Sequence, residues 1–287
     1  MSSEDSQIQK IKLGILLCGN IGMSPLLAMI LDERADREDL DVVTTGSGAK
    51  LGEEECESAA KRIIAENPQL ILWSSPNAAL PGPKKARDLI QEAGIPAIII
   101  SDAPSKKAKE EIEERGNMGY IVVPVDSMIG ARRELLDPTE MVLFNSDLLK
   151  VLTLTGVIKL VVKSIEPVIQ AIKAGQPVGE LLPRLIVTKE LATEAANYQN
   201  PYARSKAMAA HEIAERVSTL TAEGCFKLSH RDEYMPVIAA AHEMMRVAAR
   251  LADEAREMEK QGGKVHRSPH YKDGTILNKL GFEDKPE

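Results

Sequence analysis

The residues best suited to chemistry lie in short loops, and the first of them is Gly19-Asn20-Ile21-Gly22. It follows the apolar run Leu13 to Cys18 and precedes Ser24-Pro25, a helix start with Ser as N-cap and Pro at the first helical position. Gly and Asn tolerate positive φ, so tight turn chemistry explains the stretch without a ligand. The functional reading is a ligand edge, because ligands of open parallel sheets sit outside the carboxyl ends of the strands. Two glycines in place of three give little support to a dinucleotide fingerprint, and Gly46-x-Gly48 follows the wrong strand with the wrong spacing to Gly52. Asp102-Ala103-Pro104 also follows a buried strand. Its carboxylate suits a ligand contact, and suits equally well an N-cap for a helix over 105–115.

Other candidates carry weaker signals. Arg132-Arg133-Glu134 reads as an anion-recognising guanidinium pair or as a surface ion pair worth about 0–1 kcal/mol. His211-Glu212 and His242-Glu243 sit in helical stretches. Glu215 and Arg246 occupy the fourth position after each His, so neither is H-E-x-x-H, and a zinc hydrolase is disfavoured. Local bonding within its helix is the plainer reading of each His. No Ser or Cys nucleophile can be matched with a His and a carboxylate.

The elements that must position these loops follow from periodicity. Short apolar runs at 13–18, 41–45, 70–73, 97–100 and 120–123 read as buried strands, and amphipathic stretches between them read as helices. The expected fold class is α/β, a five-stranded parallel Rossmann-like sheet flanked by helices. The alternation stops near Asp126. From there to about Lys260 helix signals dominate, with starts at Asp137-Pro138, Asn200-Pro201 and Pro236, and Gly262-Gly263 closes the last helix. The expected organisation is a disordered lead over 1–10, an α/β ligand-binding domain over 11–126, a helical-bundle domain over 127–263, and a C-terminal segment over 264–287 with a short β-hairpin. Asp32 to Arg37 reads as a solvated, charged helix end.

Composition narrows the class further. The chain has 287 residues, 44% apolar, with only 3% aromatic, so aliphatic side chains must supply the core. A net charge of −7 argues against a nucleic-acid protein. No run is long and apolar enough to span a membrane, and the polar, acidic start is not a signal peptide. Cys18, Cys56 and Cys225 are odd in number and far apart, which fits a reducing cytoplasm and no metal spacing. The residues alone therefore lead to a cytoplasmic α/β ligand-binding domain joined to a helical domain, read as an enzyme.

A resemblance adds to this. Cys18-Gly19-Asn20-Ile21-Gly22, Pro76-Asn77, Pro81-Gly82-Pro83, Asp102-Ala103-Pro104, Gly130-Ala131-Arg132-Arg133-Glu134, Asn200-Pro201-Tyr202-Ala203, Glu223-Gly224-Cys225-Phe226 and Ala241-His242-Glu243-Met244-Met245 resemble blocks of the coenzyme F420-dependent methylenetetrahydromethanopterin dehydrogenases of methane-metabolising archaea. The likeness runs from about Lys12 to Glu287. Met23 and the longer lead depart from the pattern, and Met23 lies near the presumed cofactor pocket.

The resemblance implies reversible hydride transfer between 5,10-methylenetetrahydromethanopterin and F420, giving the methenyl form and reduced F420 in one-carbon metabolism. It implies F420 as a dissociable cosubstrate, no metal, no bound flavin, and a homohexamer built as a trimer of dimers. Such a reaction needs no protein nucleophile, and the protein's task is to position two ring systems. The residues expected to bind the cofactor are Gly19, Asn20, Ile21, Gly22, Ser75, Pro76, Asn77, Asp102, Ala103 and Pro104, with Lys106 meeting its anionic tail. Arg132, Arg133, His242 and Glu243 are expected at the pterin, and no acid–base residue is assigned. The alternatives are a non-catalytic F420- or pterin-binding subunit and an NAD(P)-linked dehydrogenase.

Overall fold

The structure is a computed structural model that describes residues 8–31, 37–130 and 132–287. Most of the lead expected over 1–10, the charged stretch 32–36 and residue 131 lie outside the described residues. Strands β1 (Ile11–Leu17), β2 (Leu40–Gly46), β3 (Leu70–Ser75), β4 (Ala97–Ser101) and β5 (Met118–Val122) alternate with helices α1 (Met23–Leu31), α2 (Glu53–Ala65), α3 (Pro81–Glu92) and α4 (Lys109–Glu114). A 3-10 turn over Ala103–Ala108 leads into α4, where one longer helix was expected. Helices α5 (Pro138–Leu154) and α6 (Val157–Lys173) follow.

The sheet has six strands, all parallel, in the order β2-β1-β3-β4-β5-β6. The five-strand expectation is corrected by β6 (Arg184–Ile186), which pairs with β5 from within the stretch read as helical. Three residues are too few to show a period of two, so β6 leaves no sequence signal. It is fixed by its neighbours: Tyr120 N–H donates to Pro183 O at 2.7 Å, and Val187 N–H to Val122 O at 2.8 Å. Gly119 makes that approach possible, since a Cβ there would lie 2.6 Å from Pro183 O.

Alternate residues of the strands face opposite layers. Leu70, Leu72, Ile98 and Ile100 join a core shared with α1, α5, α6 and the later helices. Ile71, Trp73 and Ile99 face α2, α3 and α4. The remaining elements are α7 (Lys189–Ala196), α8 (Pro201–Phe226), α9 (Arg231–Gln261) and the antiparallel pair β7 (Lys264–Arg267) and β8 (Lys279–Gly281), the short hairpin expected at the C-terminus. Ala203, Ala207, Ala210 and Ala214 of α8, and Ala241, Ala248, Ala252 and Ala255 of α9, are buried. These small residues let the two long helices lie close together. Helix boundaries moved at prolines. Pro81 opens α3 three residues earlier than expected, whereas Pro236 lies inside α9 rather than at its start. Pro81-Gly82-Pro83, read as loop, is the first turn of α3. A Cβ on Gly82 would lie 2.2 Å from Leu51 O, so only glycine lets α3 approach the loop after β2.

Candidate active site

The loops at the carboxyl ends of the strands form one connected rim. Gly19 has φ +80°, and a Cβ there would lie 2.9 Å from Leu51 Cδ2 and 3.0 Å from Pro76 Cδ. The turn after β1 therefore packs between the loops after β2 and β3. Gly19 N–H donates to Ser47 Oγ at 3.2 Å. Ser105 Oγ accepts from Ala78 N at 2.7 Å and lies 2.7 Å from Ser101 Oγ, which ties the loop after β3 to the loop after β4. Asn77 Oδ1 accepts from Ala79 N at 3.0 Å, an Asx turn that shapes the loop after β3. Gly19, Asn20, Ile21, Gly22, Pro76, Asn77 and Asp102 fall on these loops, Ser75 ends β3, and Ala103 and Pro104 open the 3-10 turn in which Lys106 is exposed.

Two buried carboxyl groups anchor the rim. Asp126, four residues after the end of β5, accepts from Gly22 N at 2.6 Å and Met23 N at 2.8 Å. These are N-terminal N–H groups of α1, which have no partner within the helix. Ser24 is therefore not the N-cap. Its Oγ instead accepts from Ile21 N at 3.1 Å and lies 3.0 Å from Ser74 Oγ, bracing the turn against β3. Burial pushes the Asp126 carboxyl up to about 7, against the pull of the Met23 and Gly22 N–H groups. Asp102 is the N-cap of the 3-10 turn, accepting from Ala103 N at 2.5 Å, with Ser218 Oγ of α8 at 3.4 Å. Burial holds its carboxyl well above the usual carboxylate range, and the charge of Asp126 adds to that rise.

Asp126 and Ser218 belong to the rim without having been singled out from the sequence. The signal for Asp126 is the one that marked Asp102, a carboxylate just past a strand's carboxyl end. Ser218 sits in mid-helix and carries no such signal. Two further hydroxyls, Ser75 Oγ at the end of β3 and Ser127 Oγ next to Asp126, are buried and have no hydrogen-bond partner. Orphaned polar atoms of this kind suit a ligand or a water.

The four residues expected at the pterin lie elsewhere. Arg132 donates from Nε and Nη2 to Gly224 O (3.1 and 2.9 Å), and from Nη2 to Cys225 O (3.1 Å) and Leu228 O (3.0 Å). Its guanidinium also stacks 4.1 Å over the Tyr234 ring. It closes the C-terminus of α8. Arg133 is exposed, and Glu243 is exposed with Arg246 at 3.5 Å. His242 packs against Phe144 of α5 at 4.9 Å between ring centroids, with Nδ1 3.6 Å from a Glu140 oxygen. Burial lowers its pKa. Among the described residues, no hydrogen bond joins these four to the rim. Nor does any group of three or more His, Cys, Asp or Glu side chains among them stand ready to hold a metal ion. Cys18, Cys56 and Cys225 are free thiols. No described helix is long and apolar enough to cross a membrane.

The fold and rim define an open parallel α/β protein whose strand-end loops are joined into one rim, with α8 reaching it through Ser218. Residues 11–287 match the family described as methylene-5,6,7,8-tetrahydromethanopterin dehydrogenase, and the chain belongs to that family. Relatives named F420-dependent methylenetetrahydromethanopterin dehydrogenase are 52% identical in Archaeoglobus fulgidus and 50% identical in Methanothermobacter thermautotrophicus, each over 277 residues, 96% of this chain and 99% of theirs. The relative in Methanocaldococcus jannaschii is 48% identical over 278 residues, again 96% of this chain and 99% of its own. A solved structure of an F420-dependent methylene-tetrahydromethanopterin dehydrogenase, in complex with methylene-tetrahydromethanopterin and coenzyme F420, superposes with a TM-score of 0.93. It is 46% identical and covers 97% of this chain and 100% of its own.

Proposed function

We propose that this chain is an oxidoreductase that moves hydride reversibly between methylenetetrahydromethanopterin and coenzyme F420, and that it does so at the carboxyl rim of the sheet. The observation that carries the reading is the near full-length likeness, at 46% identity, to a chain solved with both ligands. The rim suits such a task. F420 supplies the hydride-accepting ring when bound, and no nucleophile or metal of the protein is required. The chain's part is to bind, orient and exclude water.

The residues that would hold the deazaflavin are the Gly19–Gly22 turn, which presents Asn20 exposed at the edge, and Ser75 to Asn77, with Asp102 to Pro104 beside them. The unpartnered hydroxyls of Ser75 and Ser127 fit polar ring atoms. Lys106 is exposed and free to meet an anionic tail. Of the residues expected at the pterin, Arg133 and Glu243 remain exposed and keep that assignment best. Residues 11–126 carry most of the rim, and 127–263 supply its cover.

The helical part also supplies the subunit contacts of a homo-oligomer, read as a hexamer in the cytoplasm. Met141, Val142 and Leu143, consecutive on α5, are 44%, 61% and 45% exposed and would be covered there. The deciding assay mixes purified protein and methylenetetrahydromethanopterin with either F420 or NAD(P). Loss of the deazaflavin's visible absorbance, with no reduction of NAD(P), is the expected result. Reduction of NAD(P) alone, or binding of F420 without turnover, would overturn it.

A further inference from the structure

Lys159, near the start of α6, is mostly buried, and all three of its ammonium protons are in use. Nζ lies 3.2 Å from Ala196 O, 2.7 Å from His266 O and 3.0 Å from His266 Nδ1. Because Nδ1 accepts from the lysine, the proton of that imidazole sits on Nε2, 3.1 Å from Asn278 Oδ1. Lys159 is thus a charge locked in place between α6, the end of α7 and β7.

Its surroundings are cationic. Burial pushes its pKa down to about 8, and the charges of Arg256, Lys163 and Arg267 push the same way, with Glu259 opposing. That glutamate is itself committed, accepting from Gln199 N at 2.9 Å and Asn200 N at 2.6 Å at the start of α8. Arg256 makes no hydrogen bond or salt bridge among the described residues. Arg256 and Lys159 line a cleft of about 380 Å³ whose walls include Leu154, Ile158, Tyr198 and Val265, with Glu259, held by the two backbone N–H groups, as its one acidic residue. None of the lining residues belongs to the carboxyl rim.

We propose that this cleft is a second binding site, for a small organic anion whose carboxylate or phosphate monoester group meets Arg256 while its apolar body lies against Leu154, Ile158 and Val265. The volume is that of a small-molecule site, and a planar guanidinium with no partner is matched to either head group. An anion seated there relieves the mutual repulsion of Lys159, Arg256, Lys163 and Arg267.

The test uses the full chain, with benzoate and phenyl phosphate as probes, each against sodium chloride at equal ionic strength. The readouts are the melting temperature and ligand-observed NMR. At least one probe is expected to raise the melting temperature saturably and to show transfer of magnetisation from the protein. Arg256→Gln should weaken that binding by about tenfold or more, whereas Arg250→Gln, at an exposed position of the same helix, should not. The tighter of the two probes identifies the head group. Absence of a saturable response to both probes, or a response that Arg256→Gln leaves unchanged, overturns the proposal.

Discussion

Asp126 holds Gly22 across 104 residues of sequence, its Oδ1 accepting from the glycine N–H at 2.6 Å. With Oδ2 on Met23 N, one carboxyl group closes the N-terminus of α1 and fixes the turn that precedes it. The end of β5 thereby sets the conformation of the loop after β1.

This contact has a pH signature. The Asp126 pKa is about 7 in the fold, against 3.8 for the free side chain. The folded chain binds this proton more tightly than the unfolded chain. The group's contribution to stability is thus complete below about pH 4 and is lost as pH rises to about 7, a change on the order of 2–4 kcal/mol. Asparagine at this position does not titrate. Urea unfolding of the parent and of Asp126→Asn from pH 4 to 8 should give a stability difference, parent minus variant, that falls with rising pH. A flat difference would mean that the carboxylate stays ionised throughout.

Gly22 has no room for a side chain. A Cβ there would lie 2.7 Å from both Asp126 Oδ1 and Leu152 Cδ1. Gly22→Ala should cost about 1–3 kcal/mol through this overpacking. Gly48 has φ +66° but open space around it, so Gly48→Ala should cost only the left-handed backbone penalty of about 1–2 kcal/mol and leave the rim in place. Melting curves report the stabilities. The Michaelis constant for F420 should rise in the first variant alone.

Asp102 separates capping from ligand contact. Asparagine caps as well as aspartate, and burial already disfavours the charge on Asp102. The melting temperature of Asp102→Asn should therefore stay close to that of the parent at pH 7. If the carboxyl group contacts a ligand, turnover or one Michaelis constant should worsen by about tenfold, the worth of one strong hydrogen bond. Kinetics equal to the parent's would leave the cap as its only role.

Arg132 is expected to matter for stability. Removing it strands the carbonyls of Gly224, Cys225 and Leu228 at the end of α8. Arg132→Ala should lose about 2–4 kcal/mol. Arg132→Lys should recover little, because an ammonium donates from a single atom and lacks the flat face that lies over Tyr234 while the fork reaches the carbonyls. A variant that melts like the parent but binds the pterin poorly would restore the ligand role suggested by the sequence.

The sequence made local features legible and long-range ones opaque. Leu13 to Cys18 followed by Gly19 and Pro25 announces strand, turn and helix, because each residue's preference acts within a few positions. The placement of Ser75 and Asp102 on one edge follows from β/α alternation alone. The grip of Asp126 on Gly22 and of Arg132 on α8 depends on partners about a hundred residues away, which no periodicity encodes. Ser24 shows the cost of local reading: its residue type said N-cap, and a carboxylate from the loop after β5 took that place. β6 escaped because three residues beside Pro183 carry no pattern.

That late strand has a consequence for synthesis. About sixty residues separate the end of β5 from β6, and α5 and α6 fill the interval. At a usual translation rate of about 5–20 residues per second, β5 emerges several seconds before the strand that will cover its open edge. Throughout that interval a nascent chain exposes unpaired backbone groups next to the buried-type residues Tyr120, Ile121 and Val122, a template for pairing with another chain. A polypeptide ending near residue 126 keeps that edge open permanently. Aggregation of such a fragment would be a property of its missing neighbour, and chaperone capture should be strongest for ribosome-bound chains stalled between β5 and β6.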